Sequence, residues 1–266
     1  DAAVEVDVPL NGAESFEISV DDGGDGRGWD QALWGDATAT LENGESIRLQ
    51  DIPLSGDSDY NPTVISFLYG GEDSRKLLPG WMYGVSEKRD SKQVRRIASY
   101  IDPKTKLELR VEGVLDREFP SVEWTAYFKN GGDSDTPILE NIQALDSAFP
   151  STGAGESRLY WSKGAVASFD DFAPQESILR TGKPMRLQPG GGRSSSQVMP
   201  FFNIGQQNGG IVTVIGWSGE WAYEAGRTGP GSVLLKAGMA KTHLLLHPGE
   251  EIRTPRMLVM FYQGDR

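Results

Sequence analysis

Two histidines are the most obvious candidates for metal or acid–base chemistry in this chain. His243 and His247 lie four residues apart in the stretch T-H-L-L-L-H-P-G. On a helix, two side chains with this spacing share a face and can bind one metal ion; on a strand they lie roughly 13 Å apart, at about 3.3 Å per residue. The intervening leucines and Pro248 favour a strand. The sequence therefore predicts no metal site at the histidines.

An acidic, glycine-rich stretch at 21–30, D-D-G-G-D-G-R-G-W-D, has some of the spacing of a calcium-binding loop. Gly23 stands at the third ligand position, however, and Ala32 stands at the twelfth, where a bidentate glutamate is needed. The chain also has no cysteine, which excludes disulfides, thiol catalysis and thiolate metal sites. An exposed loop is the prediction for 21–30, with no metal and no cofactor.

Nucleophilic and carboxylate catalysis find no clear support either. A serine nucleophile on a sharp turn is typically framed as G-x-S-x-G, and Gly216-Trp217-Ser218-Gly219 departs from that pattern. Neighbouring carboxylates such as Asp170-Asp171 are common along the chain, but a retaining glycosidase needs two carboxyls roughly 5 Å apart across a cleft. The residues alone predict turns and solvated loops here and no catalytic residue.

Tryptophan gives the most suggestive pattern, with seven in an acidic, hydrophilic chain. Indole rings pack on the C–H faces of sugars while nearby carboxylates bind the hydroxyls, so Trp beside Asp on a β-scaffold fits carbohydrate contact. Trp81 is the first candidate for substrate binding, because the stretch 70–80 is long enough to project as a loop and Pro79-Gly80 would turn the indole outward. Trp29 is the second. The alternative for Trp81 is a core position beneath its own loop.

Charge and hydropathy restrict the partners of the chain. With 26 Lys+Arg against 38 Asp+Glu, the net charge of −12 repels nucleic acid and anionic membranes. No apolar run approaches the ~20 residues that span a bilayer, which predicts a soluble protein. The sequence begins at Asp1 without an initiator Met, so an upstream segment is expected to be missing. Export is one option for the localisation, which the sequence does not fix.

Short strands separated by turn residues must position all of these groups. Apolar runs at 201–204 and 211–217 flank Asn208-Gly209, which predicts a β-hairpin, and a further reversal at Ser218-Gly219 predicts a third strand at 220–225 in the same meander. The β-branched run 211–215 predicts a strand covered on both faces. Other predicted strands are at 4–8, 16–20, 37–41, 46–49, 64–69, 95–101, 107–115, 121–129 and 138–145.

No stretch holds a helical period for three turns, and glycine and proline are spread over the whole chain. These features predict an all-β fold of two large stacked antiparallel sheets. The linker-like stretch 189–196 lies between apolar strands and is expected to be a surface loop. We therefore predict a single domain over 1–266.

Six motifs together resemble the N-terminal domain of alpha-galactosidases of glycoside hydrolase family 36. They are F-P-S-V-E-W-T-A-Y-F-K-N from 119, D-T-P-I-L-E-N-I-Q-A-L-D from 135, G-G-R-S-S-S from 191, M-P-F-F-N-I from 199, G-W-S-G-E-W from 216 and L-H-P-G-E-E-I-R-T-P-R from 246. The resemblance spans roughly 64–266 in the right order. It implies a β-supersandwich of the galactose mutarotase-like kind that packs against a (β/α)8 barrel following residue 266.

In the resembled family both catalytic aspartates lie in the barrel, so the resemblance gives no catalytic role to any residue of this chain. It implies an N-terminal, non-catalytic domain with three partners: its own catalytic barrel domain, an alpha-galactoside or related oligosaccharide, and a further copy of the chain in a homo-oligomer. The alternative is a stand-alone carbohydrate-binding or assembly module. An aldose epimerase ranks last, because both histidines are predicted on one apolar strand.

Overall fold

The computed structural model describes residues 7–9, 12, 38–40, 44, 46–48, 63–151, 155–229 and 232–264. Contacts between residues divide the chain into two compact units, Asp1–Ser55 and Gly56–Arg266. In the first unit, β1 (Thr38–Thr40) pairs antiparallel with β2 (Ser46–Arg48), which confirms the predicted hairpin. The predicted strand at 16–20, most of that at 4–8 and the acidic stretch 21–30 lie outside the described residues. A single domain over 1–266 stays a prediction, since the sandwich itself lies within the second unit.

The second unit is built almost entirely from strands, as its alternating apolar pattern predicts. They are β3 (Ser66–Tyr69), β4 (Glu72–Asp73), β5 (Met82–Arg89), β6 (Gln93–Ile101), β7 (Leu107–Asp116), β8 (Ser121–Asn130), β9 (Leu139–Pro150), β10 (Arg158–Ser162), β11 (Pro174–Ile178), β12 (Met185–Leu187), β13 (Phe201–Gln206), β14 (Gly209–Gly216), β15 (Trp221–Gly229), β16 (Ser232–Met239), β17 (His243–Leu244), β18 (Glu251–Arg253) and β19 (Arg256–Gln263). Between β4 and β5 lie a four-residue helix, α1 (Ser74–Leu77), and a 3-10 turn, Leu78–Gly80.

Two antiparallel sheets form a sandwich. The larger sheet has ten strands in the order β11-β10-β13-β14-β19-β8-β7-β6-β5, with β18 also paired to β8. The smaller sheet has seven, in the order β12-β15-β16-β9-β3-β4, with β17 paired to β9. This arrangement confirms the predicted all-β sandwich of stacked antiparallel sheets.

The core lies between the two sheets and is lined by alternate residues of their central strands, such as β8, β14 and β16. Phe202 of the larger sheet stacks on Tyr223 of the smaller one, with ring centroids 3.8 Å apart and planes 5° from parallel. Farther along the interface, Phe67 of the smaller sheet meets Phe128 of the larger sheet edge to face at 5.0 Å. These rings are buried in the core. Because side chains alternate along a strand, the residues next to them on each strand point to the outer face of the sheet.

The central hairpin is confirmed, and the meander drawn from it is wrong. Strands β13 and β14 pair from Phe201↔Val214 to Gln206↔Gly209, as the Asn-Gly turn predicts. The next strand, β15, belongs to the smaller sheet, where it pairs with β12 and β16. The chain thus crosses the core after Gly216, which buries Trp221 against Phe202 at 5.6 Å. Turn residues show that the chain reverses, but not which sheet receives the returning strand.

The strand predicted to be covered on both faces has one covered face. Ile211, Thr213 and Ile215 are buried, whereas Val212 and Val214 are only half-buried. The β-branched residues of the outer face therefore contribute strand propensity rather than core volume.

Candidate functional site: a charged cleft on the smaller sheet

Strand register places four charged residues in one row across the outer face of the smaller sheet. Arg186 of β12 is opposite Glu224 of β15, Glu224 is opposite Lys236 of β16, and Lys236 is opposite Asp146 of β9. Their strand neighbours face the core, as Tyr223 does with no exposed surface. The charges in this row alternate in sign across the four strands. Opposite charges on directly paired residues attract each other, so each neighbouring pair is favourable.

Asp146 anchors this row and is the charged residue most deeply buried in it, at 5% exposure. One of its oxygens, Oδ2, accepts a hydrogen bond from Ser66 Oγ at 2.6 Å and one from the Arg75 guanidinium at 2.8 Å. The Lys236 ammonium lies 3.5 Å from the same oxygen. A buried carboxylate is costly unless it is paired and hydrogen-bonded, and here β3, α1 and β16 each contribute one donor.

The short helix α1 holds Arg75 at this position. Asp73 caps the helix by accepting a hydrogen bond from the Arg75 N–H at 2.8 Å. Ser74 is fully buried, and its Oγ accepts a hydrogen bond from the Phe67 N–H at 3.2 Å. Both contacts tie the first turn of the helix, so the Arg75 side chain starts from a fixed backbone beside β9 although the helix has only four residues.

Two irregularities in β9 bring amide side chains to the same face. The pairing with β3 shifts register between Ser66 and Leu68, where Asn141 has a φ of 50°. The pairing with β16 shifts between Ala237 and Gly238. Extra residues of this kind re-aim the side chains that flank them, and Asn tolerates positive φ better than most residues.

Gly238 and Ala144 explain how the second irregularity is accommodated. A Cβ on Gly238 would lie 2.4 Å from the carbonyl oxygen of Ile142, so only glycine fits at this close approach. The carbonyl of Ala144 accepts a hydrogen bond from Trp124 Nε1 of the larger sheet at 2.7 Å. The irregular strand is thus tied to the core on one side while it presents Gln143 to the cleft on the other.

Together these residues line a cleft of about 250 Å³. Its wall contains Asp73, Arg75, Asp146, Arg186, Glu224 and Lys236 with the amides Asn141 and Gln143, besides Ser66, Phe67, Leu68 and Ala222. The charged groups are three acids and three bases, so the cleft carries no net formal charge. Arg75 Nε at its wall is buried and has no hydrogen-bond partner among the described residues.

The histidines do not meet each other. His243 Nδ1 lies 2.8 Å from Glu140 Oε1, and His247 Nδ1 lies 2.8 Å from Asp135 Oδ1. The hydrogen bond to Asp135 is the main reason that the pKa of His247 is raised above 6.5. Strand β17 ends at Leu244, so the strand predicted to carry both histidines carries only His243. Within the described part of the chain, no three His, Cys, Asp or Glu residues are grouped as a metal would need.

Trp81 does not turn outward as its flanking Pro-Gly predicts. It is 8% exposed and packs against Tyr69 and Phe67, with ring centroids at 6.0 and 6.1 Å. The stretch that precedes it is not a projecting loop either, because β4, α1 and the 3-10 turn fold it against the sheet. The prediction that the Trp81 indole points outward is therefore wrong. The role of Trp81 in substrate binding stays a prediction. Trp29 lies outside the described residues.

The other tryptophans that the structure describes are also drawn into the protein. Trp124 and Trp221 are buried, and Trp161 and Trp217 are half-buried. Sequence reasoning placed its site on tryptophans and missed the cleft. One feature that could have drawn attention to it is Asp146 itself, which closes the motif D-T-P-I-L-E-N-I-Q-A-L-D.

Comparison with solved structures identifies the fold. The alpha-galactosidase from Lactobacillus brevis matches at 15% identity and a TM-score of 0.57, over 90% of this chain and 30% of that chain. The galactosidase domain of the alpha-galactosidase-sucrose kinase AgaSK matches at 16% identity and a TM-score of 0.58, over 80% and 31%. The chain shares its fold with alpha-galactosidases. This finding confirms the resemblance that the six motifs indicate.

A third match is the family 36 alpha-galactosidase AgaA from Geobacillus stearothermophilus, at 17% identity and a TM-score of 0.55, over 80% of this chain and 32% of that chain. This chain thus spans about a third of the length of the alpha-galactosidases it matches.

Residues 1–40 match the family model of the NPCBM/NEW2 domain. No curated protein sequence matches the chain. No helix among the described residues is long and apolar enough to cross a membrane.

Proposed function

We propose that this chain is the N-terminal, non-catalytic domain of a glycoside hydrolase that resembles alpha-galactosidases. The domain docks on the catalytic barrel of that enzyme, and the substrate of the whole enzyme is an alpha-galactoside. The observation that carries the proposal is the shared fold with several alpha-galactosidases, each matched over about a third of its own length. The NPCBM/NEW2 match at 1–40 also supports a carbohydrate-related role for the chain. A role for Trp81 or Trp29 at the rim of the sugar site belongs to this proposal.

An apolar strip on the larger sheet supports docking. On the inner face of β5 and β7, Tyr83, Val85 and Leu115 are exposed by 41%, 38% and 48%. Val85 is opposite Ala98 on β6, and Ala98 is opposite Val111 on β7, so these side chains continue the core beyond the smaller sheet. Clusters of exposed apolar side chains can mark contact sites in proteins, and interdomain contacts bury ~600 to 1,500 Å². We assign this strip to the contact with the barrel.

Separating the two parts of the natural protein tests the proposal. The coding sequence downstream of residue 266 should encode a (β/α)8 barrel, and a barrel expressed alone should be insoluble or unfold at a lower temperature than the whole protein. Leu115→Lys should weaken the association of the two parts, whereas Phe119→Lys, at a somewhat more exposed apolar residue outside the strip, serves as the control. A reading frame that ends without a barrel would reject the proposal in favour of the stand-alone carbohydrate-binding or assembly module.

A further inference from the structure

The chemistry of the cleft on the smaller sheet selects a particular class of ligand. Its three carboxylates and three cations cancel, so neither an anion nor a cation gains from the net charge. The wall instead offers a dense set of separate hydrogen-bond donors and acceptors. The amide side chains of Asn141 and Gln143 each add an acceptor oxygen and a donor NH₂ group. A hydroxyl group both donates and accepts, so a neutral molecule with several hydroxyls can satisfy such a wall.

The size of the cleft narrows the class to one ring. Its volume of about 250 Å³ is below the range of roughly 300 to 1,000 Å³ that is typical of sites for drug-sized ligands. This volume leaves room for one sugar ring within the wall. Its one aromatic residue, Phe67, is 2% exposed, so a sugar here would be held by its hydroxyls and not by stacking.

The polar groups of the wall are also largely fixed before a ligand arrives. Asp146 is held by three donors, Arg75 is placed by the capped helix α1, and the neighbouring strands set the spacing of Glu224 and Lys236. Groups that are already in position lose little conformational freedom when a ligand binds, which lowers the entropic cost of binding.

We infer that the cleft formed by Arg75, Asn141, Asp146, Glu224 and Lys236 binds a single neutral pyranose ring through its hydroxyl groups. Galactose as the first probe rests on the proposed function, whereas the class of ligand rests on the cleft alone. With few contacts and no stacking, the dissociation constant falls in the millimolar range, since 1 mM corresponds to only about 4 kcal/mol of binding free energy.

Protein-observed NMR on the full chain tests this inference, with galactose titrated to roughly 50 mM and glucose and myo-inositol as further probes. We expect saturable shifts of backbone amides at the cleft residues. Glu224→Gln combined with Lys236→Met should weaken binding at least tenfold. The matched control is Glu123→Gln with Arg256→Met, which removes an exposed ion pair of the larger sheet, 3.7 Å long, and should leave binding unchanged.

Each outcome decides the inference. Shifts that saturate at the cleft and disappear in the first double variant alone would support it, and thermal unfolding would verify that both variants are folded. Should the first variant not fold, the single change Arg186→Met replaces it at the exposed end of the row. No saturable shift with any of the three probes, or shifts that persist in the cleft variants, would overturn it. These results do not depend on a barrel, so they fail or succeed separately from the proposed function.

Discussion

Replacing Asp146 with alanine should destabilise the sandwich far more than removing an exposed carboxylate. The change leaves the Ser66 hydroxyl without its 2.6 Å acceptor and two cations without their shared partner. Breaking a buried ion pair costs about 3 to 5 kcal/mol, and a hydrogen bond to a charged group about 1.5 to 3. The side chains of Arg75 and Lys236 keep 26% and 34% of their exposure and so retain water. We therefore expect a loss of about 2 to 3 kcal/mol in the free energy of unfolding.

Urea unfolding followed by circular dichroism measures this loss, with thermal unfolding as a second readout. For domains of 150 to 250 residues, each kcal/mol shifts Tm by ~2 to 4 °C, so a drop of roughly 5 to 10 °C is expected. Glu176→Ala is the matched control, because Glu176 of β11 forms an exposed ion pair with Arg158 of β10. Exposed ion pairs contribute ~0 to 1 kcal/mol to the free energy of unfolding. A double-mutant cycle with Arg75→Ala isolates the coupling. Equal losses for Asp146→Ala and Glu176→Ala would refute the anchoring role of Asp146.

Three further predictions concern packing and charge. Trp81→Ala should cost about 3 to 5 kcal/mol, as for other buried tryptophans, and a variant of unchanged stability with weakened sugar binding would contradict the core position. Gly238→Ala should cost about 1 to 3 kcal/mol by backbone collision, whereas Gly84→Ala, with open space around it, serves as the control; equal values would contradict the close approach. In an NMR titration the pKa of His247 should lie above 6.5, and Asp135→Asn should lower it. The stabilisation from this pair is complete below pH ~6.5 and is lost as the pH rises through the folded-state pKa, so an unchanged pKa in that variant would contradict the pairing.

The sequence predicts most strands of the second unit because alternation and turn residues are local. The predicted strands at 107–115 and 121–129 became Leu107–Asp116 and Ser121–Asn130, each within one residue at either end. Sheet membership is a different matter. Nothing local distinguishes β15 as a partner of β16 from β15 as a continuation of the hairpin, since that choice depends on how the inner faces pack.

The cleft was not predictable for a related reason. Asp146 and Lys236 are 90 positions apart, and each is an ordinary polar residue on a strand with one wet face. Only the pairing of β9 with β16 brings them together. Conversely, Pro79-Gly80 correctly marks a turn before Trp81, but a turn does not fix the direction of the next side chain. The indole moved inward because it fills space beside Phe67 and Tyr69.

Hydrolysis of nitrophenyl alpha-galactoside tests the central claim most directly, measured side by side for this chain and for the natural protein with all of its downstream sequence. A retaining glycosidase needs two positioned carboxylates, which the proposal places in the barrel. We therefore expect turnover by the longer protein and none by this chain. Turnover by this chain alone, lost on substitution of one of its own carboxylates such as Asp146 or Glu224, would contradict the account.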